Sequence, residues 1–255
     1  ALEDAALKTL GRNHDADAAR RAIAAATRAF PRLSIDLIYA RPGQTDAAWR
    51  TELAEAIALG PEHISPYQLT IEQGTAFDRA VGRGTLVVPD EDLAATLFET
   101  TQEMLEASDF DAYEVSNHAR GEPARSRHNL VYWRGVDYVG VGPGAHGRLT
   151  LANGRAATTA HRAIKDYVVA VREHGVGFAR EILDPEDIAE ERLILGLRID
   201  DGVSFEELAP LGLTPDLAKV RDLVEAGLLV DDPGRLRATR AGRLVLDRLT
   251  GALAT

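Results

Sequence analysis

Leu33-Ser34-Ile35-Asp36-Leu37-Ile38-Tyr39 is the stretch of sequence that decides the fold class. A short, largely apolar run of this kind is typical of a strand that is buried in a sheet. Pro42-Gly43-Gln44-Thr45 predicts a turn, residues 47–59 predict a helix, and residues 63–71 predict a second strand. A strand, a helix and a strand with short connections form a βαβ unit, whose strands are parallel. The sequence therefore predicts an α/β fold.

Polar side chains in and just after these strands are candidate ligand contacts, because ligands of βαβ units lie beyond the carboxyl ends of the strands. Asp36 is the sole charged residue of the first run, and a buried carboxylate is costly unless it is paired or bonds a ligand. Arg12 is its nearest candidate partner in the order of the elements. The sequence leaves open whether Asp36 pairs with Arg12 or binds a ligand. The other candidates are Tyr39, Gln44, Tyr67, Gln68, Thr70 and Glu72.

The remaining residues up to position 197 predict four helical segments and one further strand. Residues 75–89, which contain two glycines, are expected to be irregular. The predicted strand is at residues 111–115, and the predicted helical segments are at residues 2–29, 90–107, 160–173 and 185–197.

The C-terminal residues predict a small module whose element order resembles a winged helix. Its elements are short helices at 205–208 and 216–224, a hairpin at 227–239 and a last helix at 241–249. Nine Asp/Glu against seven Lys/Arg in residues 201–255 leave no basic surface for DNA, so a packing role is favoured. We expect three parts in the chain, at residues 1–110, 111–185 and 186–255.

Residues 113–147 gather hydrogen-bonding side chains, glycines and large aromatic residues, as the walls of a ligand pocket do. Within them, His128 is followed by Asn129, Tyr132 and Trp133. A histidine beside large aromatic residues can bind a haem iron or hydrogen-bond a haem propionate. A histidine that bridges two loops is the alternative interpretation.

The run Gly140-Val141-Gly142-Pro143-Gly144-Ala145 matches a loose Gly-x-Gly-x-x-Ala pattern. A dinucleotide site also needs a helix that begins at this loop and an acidic residue about 20 positions later. Pro143 and the residues after His146 do not look like such a helix. A glycine loop that lets the backbone approach a flat or bulky ligand is the remaining interpretation. His146 is either part of this site or a turn residue.

Composition limits the class of protein. The 255 residues carry a formal charge of −11, which argues against non-specific binding to nucleic acid or anionic lipid. Because the chain has no cysteine, it holds no disulfide, zinc–thiolate site or cysteine-ligated iron–sulfur cluster of its own. No apolar run is long enough for a transmembrane segment and no signal peptide is visible, so the cytoplasm is the expected compartment.

Four segments in order resemble the oxygen-independent coproporphyrinogen III oxidase-like radical-SAM proteins. They are Leu10-Gly11-Arg12-Asn13-His14 and residues 36–45, 67–75 and 113–147. His128-Asn129-Leu130-Val131-Tyr132-Trp133 is similar to the motif of the haem-chaperone branch of that family. The chain resembles the C-terminal two-thirds of the proteins in this family. This resemblance implies the last two strands of a partial (βα)6 radical-SAM barrel, followed by the winged-helix-like C-terminal module.

The resemblance also implies cofactors. Members of the family carry a Cys-x-x-x-Cys-x-x-Cys loop that holds a [4Fe–4S] cluster, to which S-adenosyl-L-methionine binds. That loop and the first four barrel strands have no counterpart here, so we expect no enzymatic activity from this chain alone. Two strands of six cannot cover both edges of their sheet, which predicts an exposed apolar edge that a second copy of the chain can cover in a homodimer.

The resemblance assigns site residues by position, and it assigns no catalytic residue. It places Arg12 and Asp36, and less directly Thr70 and His146, near S-adenosylmethionine. It places His128, with Asn129, Tyr132 and Trp133, at haem, and His128 becomes the candidate ligand of the haem iron. Ser126 stands where some members have a cysteine, which removes one possible thiolate ligand.

The function implied by the resemblance is that of a haem chaperone, which binds haem and delivers it to respiratory haem proteins. The alternative is an enzyme of porphyrin biosynthesis that decarboxylates coproporphyrinogen III oxidatively. The motif at residues 128–133 favours the chaperone. A third interpretation is a porphyrin-binding domain whose haem binding is independent of the cluster and of S-adenosylmethionine.

Overall fold

The computed structural model describes residues 1–254. They form two compact units, Ala1–Arg125 and the residues from Ser126 onward. The three-part division that the sequence predicts stays a prediction. No helix of the described residues is long and apolar enough to cross a membrane.

The first unit is a four-stranded sheet with helices packed on one face. Its helices are α1 (Asp4–Thr9), α2 (Ala16–Ala29), α3 (Asp46–Ala58), α4 (Ala76–Gly82) and α5 (Glu91–Glu106). Its strands are β1 (Ser34–Tyr39), β2 (His63–Gln68), β3 (Asp111–Glu114) and β4 (Asn117–Ala119), and a short 3₁₀ helix follows at Glu122–Ala124. The strand order is β1-β2-β4-β3.

The pairing of β1 with β2 confirms the predicted βαβ unit. The two strands are parallel, with Ser34 opposite His63 and Tyr39 opposite Gln68. Helix α3 connects them, and the Thr45 side chain caps it by accepting a hydrogen bond from the backbone N–H of Ala48. Strand β4, which the sequence did not predict, pairs antiparallel with both β2 and β3.

The core of this unit lies between the sheet and helices α3 and α5. Alternate side chains of β1, among them Leu37 and Tyr39, are buried in the same cluster as Trp49 and Leu97. Trp49 stacks on Tyr39 with ring centroids 5.2 Å apart, and its Nε1 donates a hydrogen bond to Thr101 Oγ1 at 2.8 Å. Burying each of these large side chains contributes about 1.5–3 kcal/mol relative to leaving it exposed.

The predicted apolar sheet edge is corrected in one respect. Among the described strands, β1 has a hydrogen-bonded neighbour on one side only, as predicted. However, the side chains that it leaves exposed are Ser34 and Asp36, because Ile35, Leu37 and Tyr39 point toward the helices. The free edge therefore has a polar outer face.

The prediction of an irregular segment at residues 75–89 was wrong for its first half. Helix α4 occupies Ala76–Gly82, and the Thr75 side chain caps it by accepting a hydrogen bond from the backbone N–H of Asp78. This cap satisfies a free N–H group at the start of the helix, which offsets the unfavourable helix propensity of Gly82.

The second unit combines a three-stranded sheet with a small helical module. Its helices are α6 (Arg127–Trp133), α7 (Ile164–His174), α8 (Pro185–Gly196), α9 (Ala218–Glu225), α10 (Arg240–Leu244) and α11 (Leu246–Ala254). Its strands are β5 (His146–Leu151), β6 (Gly154–Ala160), β7 (Phe178–Ile182), β8 (Val203–Ser204) and β9 (Arg235–Leu236). Strands β5, β6 and β7 form one antiparallel sheet in that order, and β8 pairs with β9.

Three local predictions in this unit need correction. The helix expected at residues 160–173 begins at Ile164, because Ala160 is the last residue of β6 and pairs with Phe178. Residues 205–208 form turns instead of a helix. The predicted hairpin is reduced to a bridge between Leu229 and Ala238, because β9 pairs with β8 instead.

Candidate functional site

The face of the first sheet that points away from the helices carries polar side chains. Strand alternation places Ser34 and Asp36 of β1 on this face with His63, Ser65 and Tyr67 of β2. Asp36 is exposed, and its Oδ1 lies 3.5 Å from Ser34 Oγ. The Asp36 carboxylate is therefore in contact with solvent, and it is not desolvated in the way that the apolar run around it had predicted. It is accessible to a ligand.

A chain of hydrogen bonds runs from this open face into the interior. Ser34 Oγ lies 2.8 Å from His63 Nδ1, and His63 Nε2 lies 2.7 Å from the Tyr113 hydroxyl. His63 and Tyr113 are buried, so these bonds replace the water that each polar group loses. His63 was not among the site residues predicted from the sequence. The alternation of His63, Ser65 and Tyr67 in β2 is the signal that could have identified it.

A second set of hydrogen bonds lies beside the first. Ser65 Oγ donates to Asn117 Oδ1 at 3.1 Å, and Asn117 Nδ2 donates to Glu114 Oε2 at 2.7 Å. The backbone N–H of Ser116 donates to the same carboxylate oxygen at 2.7 Å. Glu114 and Asn117 are almost fully buried. Burial raises the pKa of Tyr67, which shares this face.

Burial lowers the pKa of His63 below its ordinary value of 6.5, and the positive charge of Arg32 lowers it further, while the negative charge of Asp36 opposes the shift. The unfolded chain therefore takes up a proton first as the pH falls, and stability that is present above pH 6.5 is lost as the pH drops below it. We expect the free energy of unfolding of the first unit to fall by at most about 1.4 kcal/mol per pH unit from this group.

A His63→Gln variant should show a shallower loss of stability below pH 6.5, when unfolding is followed by the fluorescence of Trp49 in a Trp133→Phe background. His14→Gln is the matched control, because His14 is an exposed histidine of the same unit. Equal slopes in the two variants would contradict the assignment of acid sensitivity to His63.

The four residues assigned to S-adenosylmethionine do not all lie on this polar face. Asp36 lies on the face, Thr70 is exposed two residues beyond the end of β2, and Arg12 is exposed after α1. The ion pairs of the described residues do not join Arg12 to Asp36, so the structural pair that the sequence left open is absent there. His146 is the first residue of β5 in the second unit. The assignment of these four residues to one ligand stays a prediction.

The segment at residues 128–133, which resembles the motif of the haem-chaperone branch, lies in helix α6. The Ser126 side chain caps it by accepting a hydrogen bond from the backbone N–H of Asn129 at 3.4 Å. His128 is exposed and lies on the same helix face as Tyr132, with Nε2 3.3 Å from the Tyr132 hydroxyl and ring centroids 5.0 Å apart. His128 therefore lies on a helix and does not bridge two loops. Asn129 and Trp133 are half-buried.

A cavity of about 210 Å³ lies next to this helix, within the second unit. Tyr132 forms part of its wall and packs edge-to-face on Tyr138, with ring centroids 4.6 Å apart. Burial raises the pKa of Tyr138, so its hydroxyl is neutral at physiological pH. The remaining lining residues are Gly135, Arg148, Arg155, Ile188, Glu191, Arg192, Ile194 and Leu195.

The three arginines of the cavity wall are each engaged by a carboxylate. Arg148 Nε donates to the two carboxylate oxygens of Glu191 at 2.9 and 3.0 Å, and this hydrogen bonding raises the pKa of Arg148. Arg155 Nη1 donates to Asp137 Oδ1 at 3.2 Å. Arg192 Nε donates to Glu207 Oε1 at 2.7 Å, and its Nη1 donates to the Trp133 carbonyl at 2.7 Å.

Two of these carboxylates, those of Asp137 and Glu207, have a lowered pKa. Hydrogen bonds from the backbone and side chain of Thr150, together with the charge of Arg155, lower the pKa of Asp137. Burial raises the pKa of Glu207, but hydrogen bonds from Arg192 and Ser204 outweigh it, and the net pKa is lowered. Each arginine of the cavity wall therefore has a carboxylate as its hydrogen-bond partner.

The glycine loop has a structural explanation. A Cβ atom at Gly140 would overlap the carbonyl oxygen of His146, and one at Gly147 would lie 2.5 Å from Thr158 Oγ1. Tyr138 and Arg148 exchange backbone hydrogen bonds of 2.8 and 2.9 Å on either side of this contact. At Gly140 the close approach is to the backbone of His146, which corrects the expectation that this part of the loop makes room for a flat ligand.

Known proteins that resemble this chain identify its fold. A family model described as the HemN C-terminal domain matches residues 183–245. The chain is 35% identical, over 95% of its length, to the Danio rerio protein named "Radical S-adenosyl methionine domain-containing protein 1, mitochondrial", and it covers 57% of that protein. It is 32% identical over 98% of its length to "Heme chaperone HemW" of Bacillus subtilis (strain 168), and it covers 66% of that protein.

A solved structure shares the fold. The structure titled "Coproporphyrinogen III oxidase (HemN) from Escherichia coli is a Radical SAM enzyme" superposes with a TM-score of 0.73 over 99% of this chain and 62% of the other, at 19% sequence identity. This likeness confirms the predicted fold class, which is the later part of a radical-SAM barrel with a small C-terminal module.

The chain belongs to the radical-SAM coproporphyrinogen III oxidase-like family. Within that family it falls in the branch of the heme chaperone HemW relatives, at 32–36% identity. The chain spans somewhat less than two thirds of the length of the curated relatives that it matches, 57% and 59% for the first two.

Proposed function

We propose that this protein is a haem chaperone, which binds haem at helix α6 and passes it to haem proteins. The observation that carries the proposal is the placement of His128. Its imidazole is exposed, its Nε2 faces the Tyr132 hydroxyl, and Tyr132 in turn forms the wall of an aromatic-lined cavity. An accessible imidazole beside aromatic rings supplies both an iron ligand and a surface for a flat macrocycle.

Binding of haem at His128 requires one local change. The Nε2 atom lies 3.3 Å from the Tyr132 hydroxyl, so an incoming iron would replace that hydrogen bond. The cost is small because the bond is long and exposed. A single exposed ligand also suits a carrier, since the haem must leave the site again.

The family implies S-adenosylmethionine and a [4Fe–4S] cluster in the whole protein. The cluster ligands must come from outside these 255 residues, because the sequence contains no cysteine. When bound, the cluster and S-adenosylmethionine together would supply one-electron chemistry. Within this chain the exposed carboxylate of Asp36, beside Ser34 on the polar face, suits the hydroxyl groups of a ribose. Arg12, Thr70 and His146 remain the other residues assigned to this ligand.

The alternative function is the oxidative decarboxylation of coproporphyrinogen III. It is supported by the fold of the Escherichia coli enzyme and by the match to the HemN C-terminal domain. It needs the cluster, whereas haem binding at α6 uses residues of this chain alone. This difference separates the two functions experimentally.

The proposed partners are haem and respiratory proteins that accept it. We propose the cytoplasm as the compartment, with mitochondria as the alternative that the names of several relatives suggest. We also propose that β1, which has one hydrogen-bonded neighbour among the described strands, pairs with a second copy of the chain in a homodimer. Light scattering would test this, and a strictly monomeric chain would contradict it.

Haemin titration of the 255-residue chain, followed by the Soret band, tests the main proposal. We expect saturable binding near one equivalent, and a loss of affinity of at least about tenfold in His128→Ala because the iron loses its protein ligand. His174→Ala is the control, since His174 is an exposed histidine of the same unit. Unchanged binding in His128→Ala would remove His128 as the ligand, and no binding to any variant would favour the enzyme.

A further inference from the structure

The cavity beside α6 is too small for a whole tetrapyrrole. Its volume of about 210 Å³ lies below the range of roughly 300–1,000 Å³ that is usual for pockets enclosing drug-sized ligands. If the iron binds His128, the macrocycle lies against Tyr132, because the Tyr132 hydroxyl contacts His128 and the Tyr132 side chain also lines the cavity. One edge of the macrocycle is therefore the part that the cavity can enclose.

The chemistry of the cavity wall favours an uncharged edge. Ile188, Ile194 and Leu195 of α8 line it together with the rings of Tyr132 and Tyr138. The guanidinium groups of the wall already bond to Glu191, Asp137 and Glu207. An incoming carboxylate would have to displace one of these partners or lie beside Glu191, whose charge would repel it.

Haem and iron coproporphyrin differ at the edge in question. On two adjacent pyrrole rings haem carries vinyl groups, whereas coproporphyrin carries propionates, so one edge is apolar in the first and charged in the second. We infer that this cavity holds the vinyl-bearing edge of haem and thereby makes the site select haem over iron coproporphyrin. The inference rests on the proposed haem-binding function and names the determinant of its specificity.

Ile194 offers the sharpest test, because its side chain lines the cavity and is 53% exposed, so that large substitutions there leave the core intact. We expect the unaltered chain to bind iron(III) protoporphyrin IX at least about tenfold more tightly than iron(III) coproporphyrin III, since burying a carboxylate without a free partner is costly. Ile194→Trp should fill the cavity and weaken protoporphyrin binding about tenfold, with little change for coproporphyrin.

Two further variants make the test specific. Ile194→Lys should improve coproporphyrin binding by adding a cation at the cavity wall. Ile182→Trp is the matched control, because Ile182 is 43% exposed in the same unit but does not line the cavity, and it should behave as the unaltered chain does. Circular dichroism confirms that each variant is folded.

The outcomes separate the inference from the proposed function. His128-dependent binding with equal affinity for the two tetrapyrroles, or a preference for haem that survives Ile194→Trp, would overturn the inference and leave the chaperone proposal standing. If neither tetrapyrrole binds, the proposed function fails and the inference fails with it.

Discussion

Replacing Glu52 with alanine is expected to lower the free energy of unfolding of the first unit by about 3–5 kcal/mol. Glu52, on α3, accepts hydrogen bonds from Arg41 Nη2 at 2.5 Å and Arg41 Nη1 at 3.1 Å, and from the backbone N–H of Leu2 at 2.7 Å. The side chains of Arg41 and Glu52 are only 6% and 8% exposed. Alanine would leave the guanidinium buried without its counter-charge, which is the costly case.

Urea unfolding, followed by Trp49 fluorescence in a Trp133→Phe background, measures this effect. The control is Glu55→Ala, because Glu55 lies on the same helix and pairs with Arg20, but both side chains of that pair are more than a third exposed. Solvent screens such a pair, so its loss should cost about 0–1 kcal/mol. Equal losses in the two variants would show that burial does not decide the strength of the Arg41–Glu52 pair.

The Arg41–Glu52 pair also bears on function. Arg41 lies in the turn after β1, and its Nη1 donates to the carbonyl of Ile38 at 2.9 Å, while Gln44 Nε2 lies 3.5 Å from Glu52. These bonds fix the carboxyl end of the strand that carries Asp36. We therefore expect Glu52→Ala to disturb the polar face as well as the stability of the unit.

Gly140→Ala is expected to destabilise the β5–β6 sheet by about 1–3 kcal/mol, because overpacked sites rarely relax without strain. The added methyl group would overlap the carbonyl oxygen of His146, and this obstacle is backbone that cannot rotate away. Relief would require breaking the paired backbone hydrogen bonds between Tyr138 and Arg148. Tyr138 and Arg148 both line the cavity, so haem affinity should fall with the stability of the sheet.

Hydrogen-exchange mass spectrometry on peptides from residues 146–182 would report the local loss of protection. Gly251→Ala is the control in the same unit, because a Cβ at Gly251 in α11 meets nothing within 4 Å. Alanine there should be neutral or stabilise the unit by up to about 1 kcal/mol through helix propensity. If Gly140→Ala kept the protection of the unaltered chain, the glycine would not be required for packing.

Much of the first unit could be predicted from its sequence, because the signals are local. The apolar run at residues 33–39 marks β1 by its length and composition. The helix after it follows from the turn at residues 42–45 and from the Thr45 cap.

The predictions at residues 75–89 and 205–208 were wrong because the structure of these short segments depends on a single cap or on neighbouring strands. Helix α4 needs the Thr75 cap, and Val203–Ser204 pairs with Arg235–Leu236 across about 30 residues.

The sequence by itself determined the α/β class and the βαβ unit, because strand alternation and helix periodicity act over a few residues. The helix that puts His128 and Tyr132 on one face was not predicted from the sequence. The tertiary structure alone decided which distant groups meet. His63 contacts Tyr113 from 50 positions away, and Arg148 contacts Glu191 from 43 positions away. No local period encodes such pairs. They form when packing brings distant elements together, because polar groups that become buried need hydrogen-bond partners.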